Sequence, residues 1–245
     1  MKKTVLITGC NRGLGKQLLT DFAKESYDCI TITRSPNAEF DVFCNKLMAS
    51  HNISIIKYYA DFSSIEELSC ALNQIEQSEI EIDVLINNAG AITKAKPIFY
   101  MNYQDVETSF KINYFAPFLI SKHIASIMIR KGKGSIIDIT SVISMNAEAG
   151  ECAYGASKAA LNYSIKSLSQ ELAPFNVRIN GIACGILDTD MFRSVDDKAQ
   201  KKLLKRVAIK RPAELHEISE AALFLASDRS SYITGSILKV DGGFI

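Results

Sequence analysis

Seven short runs of β-branched and aliphatic residues, at 4–8, 29–33, 54–58, 84–86, 135–139, 178–182 and 237–240, recur through this chain of 245 residues. The segments at 15–25, 65–77, 104–129, 153–172 and 219–226 are long enough for helices and carry helical patterning. Strands set that far apart cannot close as tight hairpins, so they pair through crossovers into a parallel sheet. Crossovers are right-handed, which places helices on both faces. Strands covered on both sides need no polar alternation, and Val5-Leu6-Ile7 and Ser135-Ile136-Ile137-Asp138-Ile139 show little. No repeat, low-complexity stretch or linker interrupts the pattern. One doubly wound α/β domain over 1–245 is therefore expected, a mainly parallel seven-stranded sheet carrying both cofactor and substrate sites. In such a sheet a ligand sits beyond the carboxyl ends of the strands, where the strand order reverses.

Charge excludes one class of function. Twenty-eight basic residues face 27 acidic ones, a formal net charge of +1, and the charges are spread along the chain. A nucleic-acid binder would show a strongly basic face, so no such partner is expected. After Met1-Lys2-Lys3 the apolar stretch is only Val5, Leu6 and Ile7, too short for a signal peptide. No window is read as long and apolar enough to span a bilayer, so no membrane partner is expected. The six cysteines, Cys10, Cys29, Cys44, Cys70, Cys152 and Cys184, form no CxxC pair. Free, mostly buried thiols in a reducing, cytoplasmic setting follow, and no metal site is expected.

The first strand runs into Thr8-Gly9-Cys10-Asn11-Arg12-Gly13-Leu14-Gly15, and a helix follows. Gly9 suits the tight turn, Gly13 lets backbone approach a pyrophosphate, and Gly15 permits close packing of helix on strand. The phosphate would lie at the helix N-terminus, where free N–H groups favour an anion. An acidic residue at the end of the second strand would indicate NAD, but that end reads Thr31-Ile32-Thr33-Arg34-Ser35. Arg34 can fork onto a 2′-phosphate, with Arg12 as a second cation, so NADP(H) is the expected cofactor.

Tyr154-Gly155-Ala156-Ser157-Lys158 places a phenol and an ammonium on one helical face. A phenol near pKa ~10 is a poor proton shuttle at neutral pH, and a cation within reach lowers it by roughly 1–3 units. Alone, this spacing is common on helix surfaces. Here it is accompanied by Asn87-Asn88-Ala89-Gly90 after the fourth strand, Asn113 within a helix, and Ser141 after the fifth strand.

Taken with the glycine loop, these motifs resemble the short-chain dehydrogenase/reductase family in its compact branch, along essentially the whole chain. The resemblance implies a Rossmann-like fold and an NADP-dependent oxidoreductase that reduces a ketone to a secondary alcohol. It implies Tyr154 as the proton donor and Lys158 as the residue that holds the nicotinamide ribose and depresses the tyrosine pKa. Ser141 corresponds to the residue bonding the substrate oxygen, and Asn113 to the anchor of a proton-relay water. Cofactor contacts would come from Gly9, Asn11, Arg12, Gly13, Leu14, Gly15, Arg34 and Ser35. Further along, Asp61 and Phe62 would meet adenine, while Asn88, Ala89 and Gly90 would line the adenosine ribose. Tyr154, Lys158, Gly185, Leu187 and Thr189 would complete the cofactor set, with Thr189 receiving carboxamide or pyrophosphate. Asn87 is read as a structural hydrogen-bonding residue. The family's Pro-Gly pair after the sixth strand is replaced by Cys184-Gly185, a substitution read as tolerated.

Whole-chain resemblance is greatest to the 3-oxoacyl-acyl-carrier-protein reductases, which implies a small-molecule carbonyl substrate, a 3-oxoacyl thioester among the options. Phe175 stands where those reductases carry a basic carrier-docking residue. A sugar, polyol or secondary-metabolite ketone is the alternative substrate, and a non-catalytic NADPH sensor the alternative function. A cationic stretch, Lys198 to Arg211, occupies the lid region after strand six. A homotetramer is expected from the resemblance and from apolar residues on the two long helices: Phe110, Phe115, Phe118, Leu161, Ile165 and Leu168.

Overall fold

The computed structural model describes residues 2–92 and 95–245. Its strands are β1 (Thr4–Thr8), β2 (Asp28–Thr33), β3 (Ile55–Tyr59), β4 (Val84–Asn87), β5 (Gly134–Ser141), β6 (Val177–Cys184) and β7 (Ile237–Val240). They form one sheet in the order β3-β2-β1-β4-β5-β6-β7. Every pairing among the described residues is parallel, in keeping with the mainly parallel sheet expected. The order reverses between β1 and β4, and the segments leaving those two strands, 9–15 and 88–91, therefore diverge over a shared crevice.

Helices α1 (Gly13–Lys24), α2 (Ala38–His51) and α9 (Leu215–Ala226) cover one face. Their apolar sides bury Leu18, Leu19, Phe22, Phe40, Leu47, Ile218 and Leu225 against Val5, Ile7, Ile86, Ile137 and Ile139. Helices α3 (Ile65–Gln77), α4 (Tyr103–Phe110), α5 (Ala116–Lys131) and α6 (Cys152–Leu172) lie on the other side of the sheet. From α3, α5 and α6, Leu68, Ile75, Ile120, Ile124, Leu161 and Ile165 meet Leu6, Ile30, Leu85 and Ile136. Alternate residues of β5 thus enter different cores, as a two-sided sheet requires. Two short helices, α7 (Asp190–Arg193) and α8 (Asp197–Leu204), follow β6.

The structure departs from the sequence pattern at several points. Helix α2 has no counterpart among the expected helices, because its apolar positions are weakly periodic; Asn37 caps it, its side chain accepting from the Phe40 N–H at 2.9 Å. The single helix expected at 104–129 is interrupted by a π turn over Lys111–Phe115. Helix α9 begins four residues before the expected start at 219. Leu161 and Ile165, expected to carry surplus surface, are 2% and 0% exposed and belong to the core. The continuous stretch Tyr103–Lys131 is long and apolar enough to cross a membrane by length and composition, contrary to the sequence reading. In this structure 56% of its most apolar window is buried within the protein, as a core helix would be. Of the cysteines, Cys10, Cys29, Cys44 and Cys184 are buried free thiols, while Cys70 and Cys152 are exposed.

Candidate active site

The crevice starts at the glycine turn. Gly9 has φ +74, and a Cβ there would lie 3.0 Å from the Ala89 Cα, so β1 and β4 meet backbone to backbone. The Thr8 hydroxyl accepts from the N–H groups of Asn88 at 3.0 Å and Ala89 at 2.9 Å. The Asn88 amide donates back to the carbonyls of Thr8 and Gly9. Asn88 and Ala89 therefore brace the turn, and Gly90 leads onward to a point where a Cβ would sit 3.6 Å from Lys158 Nζ. One continuous strip of backbone runs from the glycine turn to the lysine. Thr8 was not anticipated from the sequence, where nothing distinguishes its hydroxyl from any strand-end threonine.

Helix α1 begins at Gly13 with Arg12 as its N-cap, and no side chain caps it. Helices α2, α3, α4 and α8 all have side-chain caps, from Asn37, Ser64, Asn102 and Asp196. Open N–H groups, the helix dipole and the exposed Arg12 make this terminus attractive to an anion. Gly13 has φ +54 and open space on its Cβ side, and the Asn11 side-chain oxygen is buried without a partner among the described residues. A cleft of ≈ 270 Å³ opens here between Gly13, Lys16, Thr20 and, across it, Asp188, Thr189 and Arg193. Thr189 caps α7, its hydroxyl accepting from the Phe192 N–H at 3.4 Å, and it lines this cleft together with Gly13. Leu187 bridges to Ala213. Gly185 lies so close to Asp241 that a Cβ would be 2.8 Å from its Cα. The residues present fit a dinucleotide: a turn with room for a pyrophosphate, an uncapped helix terminus and polar groups awaiting partners.

At the far side of β2, Arg34 and Asp61 come together, with Arg34 Nε 3.3 Å from an Asp61 carboxylate oxygen. The other oxygen accepts from the Ser63 N–H and hydroxyl at 2.8 and 2.7 Å. Those bonds, and secondarily the Arg34 guanidinium, hold Asp61 below the usual carboxylate range. Arg34 remains 70% exposed along its side chain, leaving most of its fork free for a phosphate. Ser35 is exposed beside it, and Phe62 packs partly into the core.

At the other end, Tyr154 and Lys158 lie one turn apart on α6. Burial pushes the Tyr154 phenol up to about 12, opposed by its hydrogen bond with Ser141 and reinforced by Cys184 and Glu151. This reverses the expected direction, because the buried Lys158 ammonium donates to the Ile139 carbonyl at 2.8 Å and does not offset the loss of solvent at the phenol. Burial brings Lys158 itself down to about 8, while Asp138 and Cys184 pull it upward. Asp138, 2% exposed, is raised to about 7 by burial despite accepting from the Asn87 amide at 2.7 Å. Asn87 also donates to Ser121 at 2.9 Å, so its role is structural, as expected.

Asn113 is fully buried in the π turn. Its side chain donates to the Ala91 carbonyl and accepts from the Ala91 N–H, both at 2.9 Å, and also reaches Ser157 at 3.3 Å. It thereby locks the segment after Gly90 against the helix bearing Tyr154. Cys184 is the register partner of Ser141 across β5 and β6, and burial raises its thiol to about 12. A thiol held neutral is unreactive, in keeping with a tolerated substitution. Glu151, absent from the sequence reading, stands one turn before Tyr154 with one carboxylate oxygen buried and unpaired among the described residues. Burial and the nearby Glu148 raise its pKa.

The fold and this geometry define a nicotinamide-dependent oxidoreductase with a Ser–Tyr–Lys centre. A family profile described as Enoyl-(Acyl carrier protein) reductase matches residues 9–245. The 3-oxoacyl-[acyl-carrier-protein] reductase FabG of Buchnera aphidicola subsp. Schizaphis graminum is 34% identical, covering 99% of this chain and 97% of that protein. The L-xylulose reductase of Caenorhabditis elegans is 35% identical, covering 99% and 95%. The solved structure of ElxO with NADP bound superimposes with a TM-score of 0.90 at 26% identity, covering 99% and 98%. The chain belongs to the short-chain dehydrogenase/reductase family. It is an NADP-dependent oxidoreductase that acts on a small-molecule ketone or its alcohol.

Proposed function

We propose that the protein reduces a small 3-oxoacyl thioester or related β-dicarbonyl compound, with Tyr154 as general acid. The observation that carries this reading is the convergence of Ser141, Tyr154 and Lys158 at the end of a backbone strip that begins at an open phosphate cradle. NADPH supplies the hydride when bound. Residues 9–15, with Arg12 and Arg34, would hold its phosphates, and Lys158 its nicotinamide ribose. The Ser141 hydroxyl would fix the carbonyl oxygen, and Tyr154, fully protonated at neutral pH, would deliver the proton as negative charge develops there. Because the Asn113 amide is taken up by Ala91, a relay water would meet the main chain of the π turn instead.

The cationic lid supports an acidic substrate only weakly. Arg206 pairs with Glu148 and Arg211 with Glu217, leaving the exposed Lys198, Lys201, Lys202, Lys205 and Lys210, which salt screens readily. Phe175, half exposed where a docking cation would stand, further reduces attraction for an acidic carrier protein. The buried oxygen of Glu151, unpaired among the described residues, favours a second reading, a hydroxylated ketone of the sugar or polyol type whose O–H would satisfy it. The test compares kcat/KM with NADPH for free acetoacetyl thioester, acetoacetyl carrier protein and a ketose. The thioester is expected to match the carrier form within a fewfold. A large, salt-sensitive carrier advantage would overturn the docking argument. Preference for the ketose, lost in Glu151→Gln, would establish the second reading.

Assembly as a homotetramer is supported by the apolar residues Phe115, between α4 and α5, and Tyr163, on α6, exposed 44% and 76%. The free thiols suit a cytoplasmic location.

A further inference from the structure

Helix α6 carries a third polar residue on the stripe of Tyr154 and Lys158. Asn162 follows Lys158 by four positions and is 8% exposed. Its amide N–H2 donates to the Ser144 hydroxyl at 2.6 Å, and the Ser144 hydroxyl donates in turn to the main-chain carbonyl of Ser141. Ser144 has one hydroxyl proton, and it is taken up by that carbonyl, so only the donor end of Asn162 can complete the chain. The other end, the Asn162 side-chain oxygen, is buried without a partner among the described residues. Burying an unpaired acceptor is costly, and simple packing at this position would be better served by leucine.

The turn that this chain grips is the one that aims Ser141. Its hydroxyl accepts from the Ile143 N–H at 3.2 Å, capping the single turn Val142–Ser144, and reaches the Tyr154 phenol. Gly155 closes the gap between helix and turn, since a Cβ there would be 3.3 Å from Ile143. The strand-end turn is thus fastened to α6 twice, through Ser141–Tyr154 at one end and Ser144–Asn162 at the other. Without Asn162 the turn loses its anchor on α6 and can pivot about the first fastening, and without Ser144 the Ser141 carbonyl also loses the donor that links it to the helix.

We infer that Asn162 and Ser144 are positioning residues for reduction, holding the Ser141 hydroxyl in register with the Tyr154 phenol through the Ser141 main chain. The inference rests on the reading of Ser141 and Tyr154 as the groups that act on the carbonyl. Because the Ser141 bond opposes the upward shift of the Tyr154 pKa, its loosening also moves the titration of the phenol further up. The effect belongs to the chemical step, so kcat falls while KM for NADPH stays put.

The test is a mutant cycle in the full-length enzyme. Asn162→Leu and Ser144→Ala should each lower kcat about 10–100-fold, the scale of a mispositioned catalytic group, with KM for NADPH within twofold. Ser144→Thr, which keeps the hydroxyl, should restore most of the rate. In a Ser141→Ala background, Asn162→Leu should have no further effect, because the residue it positions is gone. The pH dependence of alcohol oxidation, where the phenolate is needed, should shift upward in Asn162→Leu. Additive losses in the cycle, or a normal kcat with only a lower Tm, would reduce Asn162 to a packing residue and overturn the inference. Full activity of Ser141→Ala alone would instead overturn the underlying reading of the site.

Discussion

Two glycines in the first turn separate folding from cofactor binding, and replacing each by alanine should read out the two costs independently. At Gly15 an added Cβ would stand 2.0 Å from the Gly9 carbonyl oxygen and 2.6 Å from the Asn88 amide nitrogen. Ordinary contacts begin near 3.4 Å, so the Gly9 carbonyl must retreat by more than an ångström. That carbonyl is itself held by Asn88, and Gly9 N–H donates to Ile32 at 2.9 Å, so retreat disturbs both neighbouring strands. Overpacking of this kind costs about 1–3 kcal/mol, and a backbone clash belongs at the upper end. For a chain of this size, about 3 kcal/mol corresponds to a fall in Tm of roughly 6–12 °C. At Gly13 the added methyl meets nothing within 4 Å, and the only folding cost is a left-handed φ of +54. That is about 1 kcal/mol, a fall of roughly 2–4 °C. The same methyl, however, occupies the space through which backbone N–H groups would reach a pyrophosphate. Loss of one charge-assisted bond, about 1.5–3 kcal/mol, weakens NADPH roughly 10–100-fold. Thermal melts paired with fluorescence titration of NADPH measure both quantities. A Gly13→Ala variant that binds NADPH within twofold of the native protein would refute the placement of the phosphate, whatever its Tm.

Tyr154→Phe keeps the ring and should keep NADPH binding, while kcat for reduction drops roughly 10²–10⁴-fold; near-native turnover would remove the proton donor from the argument. Arg34→Asp should cut the ratio of kcat/KM for NADPH over NADH by at least about tenfold, and an unchanged ratio would place the 2′-phosphate elsewhere. Lys158, near 8, keeps its ammonium below that pH and loses it above, while Tyr154, near 12, stays protonated throughout. Reduction measured as kcat/KM should therefore decline above about pH 8, and Asp138→Asn should move that limb to lower pH, since the Asp138 carboxylate supports the lysine charge. A limb that stays in place in Asp138→Asn would show that the two groups do not communicate.

Much of the site was legible in the sequence because its chemistry is local. The turn from β1 into α1 is written in three glycines within seven residues, and the Tyr154–Lys158 spacing is a helical repeat that needs no tertiary knowledge. The alternation of aliphatic runs with helix-length segments was sufficient for a two-sided parallel sheet, for the same reason: strand and helix periodicities are properties of neighbouring residues. Helix α2 escaped because its burial is shallow, with only Phe40, Cys44 and Leu47 fully inside. The π turn at Asn113 escaped because an apolar helical pattern does not reveal one residue of altered register.

What only the tertiary structure decided is everything that joins distant segments. Burial, which depends on α6 lying against β5 and β6, set the direction of the Tyr154 shift against the pull expected from a nearby cation. Packing placed Arg34 against Asp61, 27 positions on in the chain, and brought Glu151 near enough to act on the Tyr154 phenol, with one oxygen unpaired among the described residues. Ser144 and Asn162, each an unremarkable polar residue in the sequence, acquired a shared role only when the turn after β5 folded onto the helix. Local periodicity is fixed by residues that are neighbours in the chain, whereas pKa values and hydrogen-bond partners are fixed by neighbours in space.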